Sequence, residues 1–72
     1  MTFKVRGIDK SQYFRDFDQA IHFAKYRAKF YTYVDIFRQT QKGKKWQNYA
    51  VVVGNMVFIR DIFLAERLEE LK

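Results

Sequence analysis

From Thr2 to Ile8 the chain alternates: Phe3 and Val5 fall on one side, Lys4 and Arg6 on the other. Period-2 alternation predicts a half-buried strand. Gly7, Asp9 and Lys10 break the pattern, and Ser11 stands where a helix N-cap belongs. From Gln12 to about Lys29 the period is helical. At ~100° per residue, Tyr13, Phe14, Phe17, Ala20, Ile21, Ala24 and Ala28 share one face. Arg15, Asp18, His22, Lys25 and Lys29 lie opposite, and a second stripe of Phe23, Tyr26 and Phe30 runs between the two faces.

Tyr31–Thr40, Lys45–Val53 and Met56 to about Arg60 read as three strands, rich in β-branched and aromatic residues. Gln41-Lys42-Gly43-Lys44 and Gly54-Asn55 supply the two hairpin turns between them. Asp61 then caps a short helix with an apolar seam of Leu64, Leu68 and Leu71, and with Glu66, Glu69 and Glu70 outside. The order β-α-β-β-β-α predicts an α+β fold: a single two-layer domain over residues 1–72. A helix of about 18 residues packs on a mostly antiparallel sheet of three or four strands. Thr2–Ile8 is either an edge strand or a partner of the Tyr31 strand, through a right-handed crossover if the two are parallel.

In the meander, Val34 and Ile36 oppose Tyr31, Tyr33 and Phe37 across the first strand. Across the second, Tyr49, Val51 and Val53 oppose Trp46, Ala50 and Val52. The hairpin register decides which sets pair, and in either register both faces are apolar. One face takes the long helix. The other must meet the C-terminal helix, a second subunit or a ligand.

Composition narrows the class. The 72 residues include eight Phe, five Tyr and one Trp, but no Cys and no Pro, so a disulfide framework and thiolate metal sites are excluded. A chain this short without staples needs its aromatics inside, or needs a partner. The longest apolar run, Ala50–Ile59, is interrupted by Gly54 and Asn55 and is about half of what a bilayer span needs. MTFKVR carries no apolar signal-peptide region, so the expected address is cytoplasmic, with no membrane partner. The Phe-, Tyr- and Lys-rich composition fits an AT-rich genome such as that of a phage or mobile element.

Catalytic chemistry is hard to assemble. Ser11 and His22 are the only Ser and His, and on one continuous helix they stand roughly 16 Å apart at 1.5 Å per residue. His22 has Asp18 at i−4 and no further ligand, and no spaced glycines form a phosphate loop. No enzyme, no metal and no cofactor is expected.

Charge points elsewhere. The net charge is +6, split as +8 over residues 1–60 and −2 over residues 61–72. Basic residues gather on the helix polar face (Arg15, Lys25, Arg27, Lys29) and on the first hairpin (Arg38, Lys42, Lys44, Lys45). A lysine-rich ribbon tip followed by Trp46 suits a phosphate backbone, with an indole free to stack on bases. Lysines at a hairpin tip equally serve to solubilise it and discourage edge pairing. The stripe Phe23, Tyr26 and Phe30, with Tyr31 and Tyr33 after it, has three readings: added core, self-association surface, or stacking platform.

The leading expectation is a small non-enzymatic accessory protein that binds DNA or RNA. Arg38, Lys42, Lys44 and Lys45 would contact phosphate, Trp46 would stack, and Arg15, Lys25 and Lys29 would form a second basic surface. The alternative is a homo-oligomeric protein-interaction module, an adaptor or inhibitor. It would be a homodimer through Phe23, Tyr26, Phe30, Tyr33 and Phe37, or would act on a protein partner that the sequence does not identify. The element order after the first strand is similar to that of the double-stranded-RNA-binding domain. The chain has neither that family's Gly-Pro-x-His loop nor its Lys-Lys-x-Ala-Lys helix start, where Asp61-Ile62-Phe63-Leu64 stands instead. No family is assigned on that order alone.

Overall fold

A computed structural model describes residues 1–7 and 10–70, the side chains of Arg67 and Glu70 excepted. It is an α+β fold. The elements are β1 (Thr2–Val5), β2 (Gln12–Phe14), α1 (Phe17–Arg27), β3 (Val34–Gln39), β4 (Gln47–Val53), β5 (Met56–Ile59) and α2 (Asp61–Glu70). The expected order holds with one strand added, and the sheet has five strands rather than three or four, in the order β2-β1-β3-β4-β5.

The added strand comes out of the predicted long helix. Gln12–Phe14 pairs with β1, setting Tyr13 opposite Lys4 and Phe14 opposite Phe3. The helix is therefore 11 residues long. Asp16, not Ser11, is its N-cap: its backbone is extended (φ −109°, ψ 128°) and its Oδ1 accepts a hydrogen bond from the Asp18 N–H at 3.2 Å. A helical wheel cannot separate Tyr13 and Phe14 from Phe17, because all three project to one side. Their β-propensity, followed by an Asp cap, is the signal that divides them.

β1 is an interior strand, not an edge. It pairs antiparallel with β2 and with β3, and Phe3 faces Phe14 on one side and Arg38 on the other. Because β2 and β3 flank β1, α1 must cross over β1 to join them, and it covers the face that carries Phe3 and Val5. Phe17, Ala20, Ala24 and Ala28 are buried there against Val34, Ile36, Ala50 and Val52. The alanines let the helix axis lie close to the sheet. Ile8 and Leu71, the ends of the predicted first strand and last seam, lie outside the described residues.

Gly43 (φ +87°) and Gly54 (φ +59°) turn the two hairpins, as glycines can at positive φ. Between β3 and β4 the register shifts by one residue. Ile36 pairs with Ala50 while Phe37 pairs with Asn48, so Tyr49 is an extra residue on β4. This bulge lets Tyr49 join Ala50 and Val52 on the buried face, where its ring meets Phe3 (5.7 Å between centroids), Phe17 (5.0 Å) and Phe63 (5.1 Å).

α2 docks on that same face. Phe63 is buried against Tyr49, and Glu66, one turn on, pairs with Arg38 at 2.8 Å. The predicted Leu seam does not dock: Leu64 and Leu68 are exposed, as is Ile62. With both helices on one side, neither covers the other face of the sheet.

Candidate nucleic-acid interface

Strand alternation sets what the uncovered face carries. Thr2 and Lys4 come from β1, Arg6 from just after it, Tyr13 from β2, and Asp35, Phe37 and Gln39 from β3. Asn48, Val51 and Val53 come from β4, Met56 and Phe58 from β5. Two ends differ in chemistry. The end nearest the first hairpin is aromatic and cationic. The end nearest the second is apolar and uncharged, with Val53, Met56 and Phe58 exposed.

At the cationic end the bulge places Trp46 over the open face. Its ring lies 5.9 Å from that of Tyr13, and the Lys4 ammonium sits 4.6 Å from the indole centroid and 5.1 Å from that of Phe37. The Gln39 amide donates to the Lys44 carbonyl at 2.7 Å, which holds the turn in place. Lys42, Lys44 and Lys45 are all exposed on that turn, immediately before Trp46. A groove of about 380 Å³ runs along the rim, lined by Thr2, Tyr13, Phe14, Arg15, Gln39 and Trp46. Arg15, at the bend from β2 into α1, thus meets the hairpin. Lysine and indole attract through the ring quadrupole, so one side of Trp46 is already cation-bearing.

A polar chain crosses the middle of this face. Arg60 Nε donates to Asn48 Oδ1 at 3.2 Å, and Asn48 Nδ2 donates to Asp35 Oδ1 at 3.3 Å. The other Asp35 oxygen stands 4.0 Å from an Arg6 nitrogen.

The sequence-predicted residues divide into three sets. Lys42, Lys44, Lys45, Trp46 and Arg15 converge on the cationic end. Lys25 rides on α1 and Lys29 on the turn just after it, across the sheet from Trp46, and Lys29 lies 6.0 Å from the Tyr26 ring. Arg38 belongs to neither surface. It is 5% exposed, lies 5.0 Å from the Tyr49 ring and 4.3 Å from that of Phe63, and pairs with Glu66. A phosphate cannot reach it. The reason is register: Arg38 follows Val34 and Ile36 on the buried side of β3.

The predicted self-association residues also separate. Tyr26 and Phe30 are exposed neighbours (5.7 Å between rings), while Phe23 is half-buried against Phe14 at 5.5 Å. Tyr33 is exposed near the start of β3, and Phe37 lies on the open face beneath Lys4, across the sheet from that stripe. Lys4 and Tyr13 were missed as site residues. The outward alternation of Lys4 was legible, but Tyr13 was absorbed into the helix face.

His22 is exposed, and among the described residues no cluster of His, Asp and Glu could hold a metal ion. No helix among them is long and apolar enough to cross a membrane. Comparison of the chain with protein-family models, with curated proteins and with solved structures gives no match.

Proposed function

We propose that this protein binds single-stranded nucleic acid on the open face of its sheet, with no catalytic step. The reading is carried by one juxtaposition: Trp46 and Tyr13 rings on an uncovered sheet face, with Lys4 between them and Phe37, and with the Lys42–Lys45 turn and Arg15 at the rim. Flat rings accept any base, while lysines and arginines track the backbone. A single strand suits this surface better than a duplex, because its bases can splay onto the sheet.

The test is a titration of labelled single-stranded DNA and RNA across a range of salt. Replacing Lys42, Lys44 and Lys45 by Ala should lower the slope of log K against log salt by about 2, at ~0.7 per phosphate contact. Trp46→Ala should weaken binding by about 1–3 kcal/mol without flattening the slope. Absence of binding at low salt overturns the proposal, and a preference for duplex would move the contact to the lysine turn alone.

A second reading, self-association, is supported by the exposed apolar end of the open face (Val53, Met56, Phe58) and by Ile62, Leu64 and Leu68 on α2. Light scattering behind a sizing column decides it. Self-association through this surface predicts a multiple of 8.8 kDa that reverts to the single mass when Met56 and Phe58 are replaced by Ser. A single mass in the unaltered protein at high concentration removes the reading.

A further inference from the structure

Just past the end of β1, where the last turn of α1 meets the start of β3, lies a cavity of about 310 Å³. It is lined by Arg6, Gly7, Arg27, Tyr31, Tyr33, Val34 and Asp35. Three features make it more than a crevice. First, two arginines from separate parts of the chain line it, Arg6 just after β1 and Arg27 in the last turn of α1. Second, Arg27 is held from behind. Its guanidinium lies 5.4 Å from the Phe23 ring, and any side chain at Gly7 would meet that guanidinium and the Lys10 carbonyl. Its buried Nε has no hydrogen-bond partner among the described residues. Third, Tyr31 and Tyr33, both exposed, line the same cavity.

We propose that this cavity takes a terminal nucleotide of the bound strand, with its phosphomonoester on Arg6 and Arg27 and its base against Tyr31 or Tyr33. The inference rests on the nucleic-acid reading. A terminal phosphomonoester carries nearly two negative charges and three acceptor oxygens, against one charge for a bridging phosphate. Two guanidinium forks suit the former. The cavity volume is at the low end of small-ligand sites, on the scale of one nucleotide.

Charge at the site is mixed but favours an anion. Asp35 offsets one arginine: its carboxylate accepts from Asn48 and stands 4.0 Å from an Arg6 nitrogen. The C-terminus of α1 repels anions through free carbonyls, but those of Ala24, Tyr26 and Arg27 already accept the N–H groups of Ala28, Lys29 and Phe30. Position also fits. The groove beside Trp46 touches Thr2 and this cavity touches Arg6, so the two are reached four residues apart along the extended chain of β1 and the residue after it, about 13 Å at ~3.3 Å per residue. That separation spans a few nucleotides.

The experiment compares one short oligonucleotide with a 5′-phosphate, a 3′-phosphate or neither, titrated against the full chain. A phosphate at one end should tighten binding about tenfold or more. Arg6→Gln, at a largely exposed side chain, should remove that gain, so that the phosphorylated and unphosphorylated strands bind the variant alike. Arg27→Lys should reduce the gain by losing the planar fork, with thermal unfolding showing that the fold is kept. Inorganic phosphate should compete with the gain only weakly and a mononucleotide more strongly, since the rings add to the affinity. Equal binding by all three strands, or a gain that survives both substitutions, overturns the pocket alone. No binding by any strand overturns the nucleic-acid reading and the pocket with it.

Discussion

Tyr49→Ala is expected to cost about 3–5 kcal/mol, the range for removing a buried aromatic ring that its surroundings cannot refill. Tyr49 is where the fold converges. Its ring touches Phe3 of β1, Phe17 of α1 and Phe63 of α2, and the Arg38 guanidinium of β3 lies 5.0 Å away. All four neighbours are themselves buried, so a void there can close only by moving several elements at once. A 72-residue chain with no disulfide has a small reserve, and the substitution removes most of it. Urea unfolding followed by far-UV circular dichroism measures the loss. A cost below about 1 kcal/mol would mean that Tyr49 is not the hub of this core.

Arg38 separates a structural role from a binding role. Arg38→Ala should destabilise by about 2–3 kcal/mol, through lost contact with the Tyr49 and Phe63 rings and a released Glu66. The ion pair adds little to that figure, because the Glu66 side chain is half-exposed and water can take up its charge. Arg38→Met keeps an apolar stem between the rings and should cost less. Hydrogen exchange should quicken first across residues 61–70, since Phe63 and Glu66 are the contacts that hold α2. The same Arg38→Met variant should bind an oligonucleotide as the unaltered protein does. A loss matching that of the triple lysine variant would return Arg38 to the phosphate-binding surface.

Legibility in the sequence followed the range of the forces involved. Turns and strand identities were readable because they are local: Gly43 and Gly54 stand where positive φ is needed, and the three meander strands lie within the predicted spans. The lysine turn and Trp46 were readable for the same reason. Tyr13 and Phe14 were not, because their helical phase and their strand propensity agree with the same hydrophobic pattern. β1 resolves the ambiguity by offering them a paired edge. Arg38 was misplaced because charge alone suggested solvent, while alternation with Val34 and Ile36 put it inside, where two aromatic rings and Glu66 accept it.

The sequence by itself determined an α+β chain with a basic body, an acidic last helix, and more aromatic surface than one sheet face can hide. Tertiary structure decided where the surplus goes. A single extra residue in β4 turned Tyr49 inward and Trp46 outward, and Phe63 drew α2 to the side already held by α1. Both choices depend on contacts between residues far apart in the chain, whose free energy no local pattern records. They leave one sheet face uncovered, with Trp46, Tyr13 and Lys4 assembled on it from three separate segments.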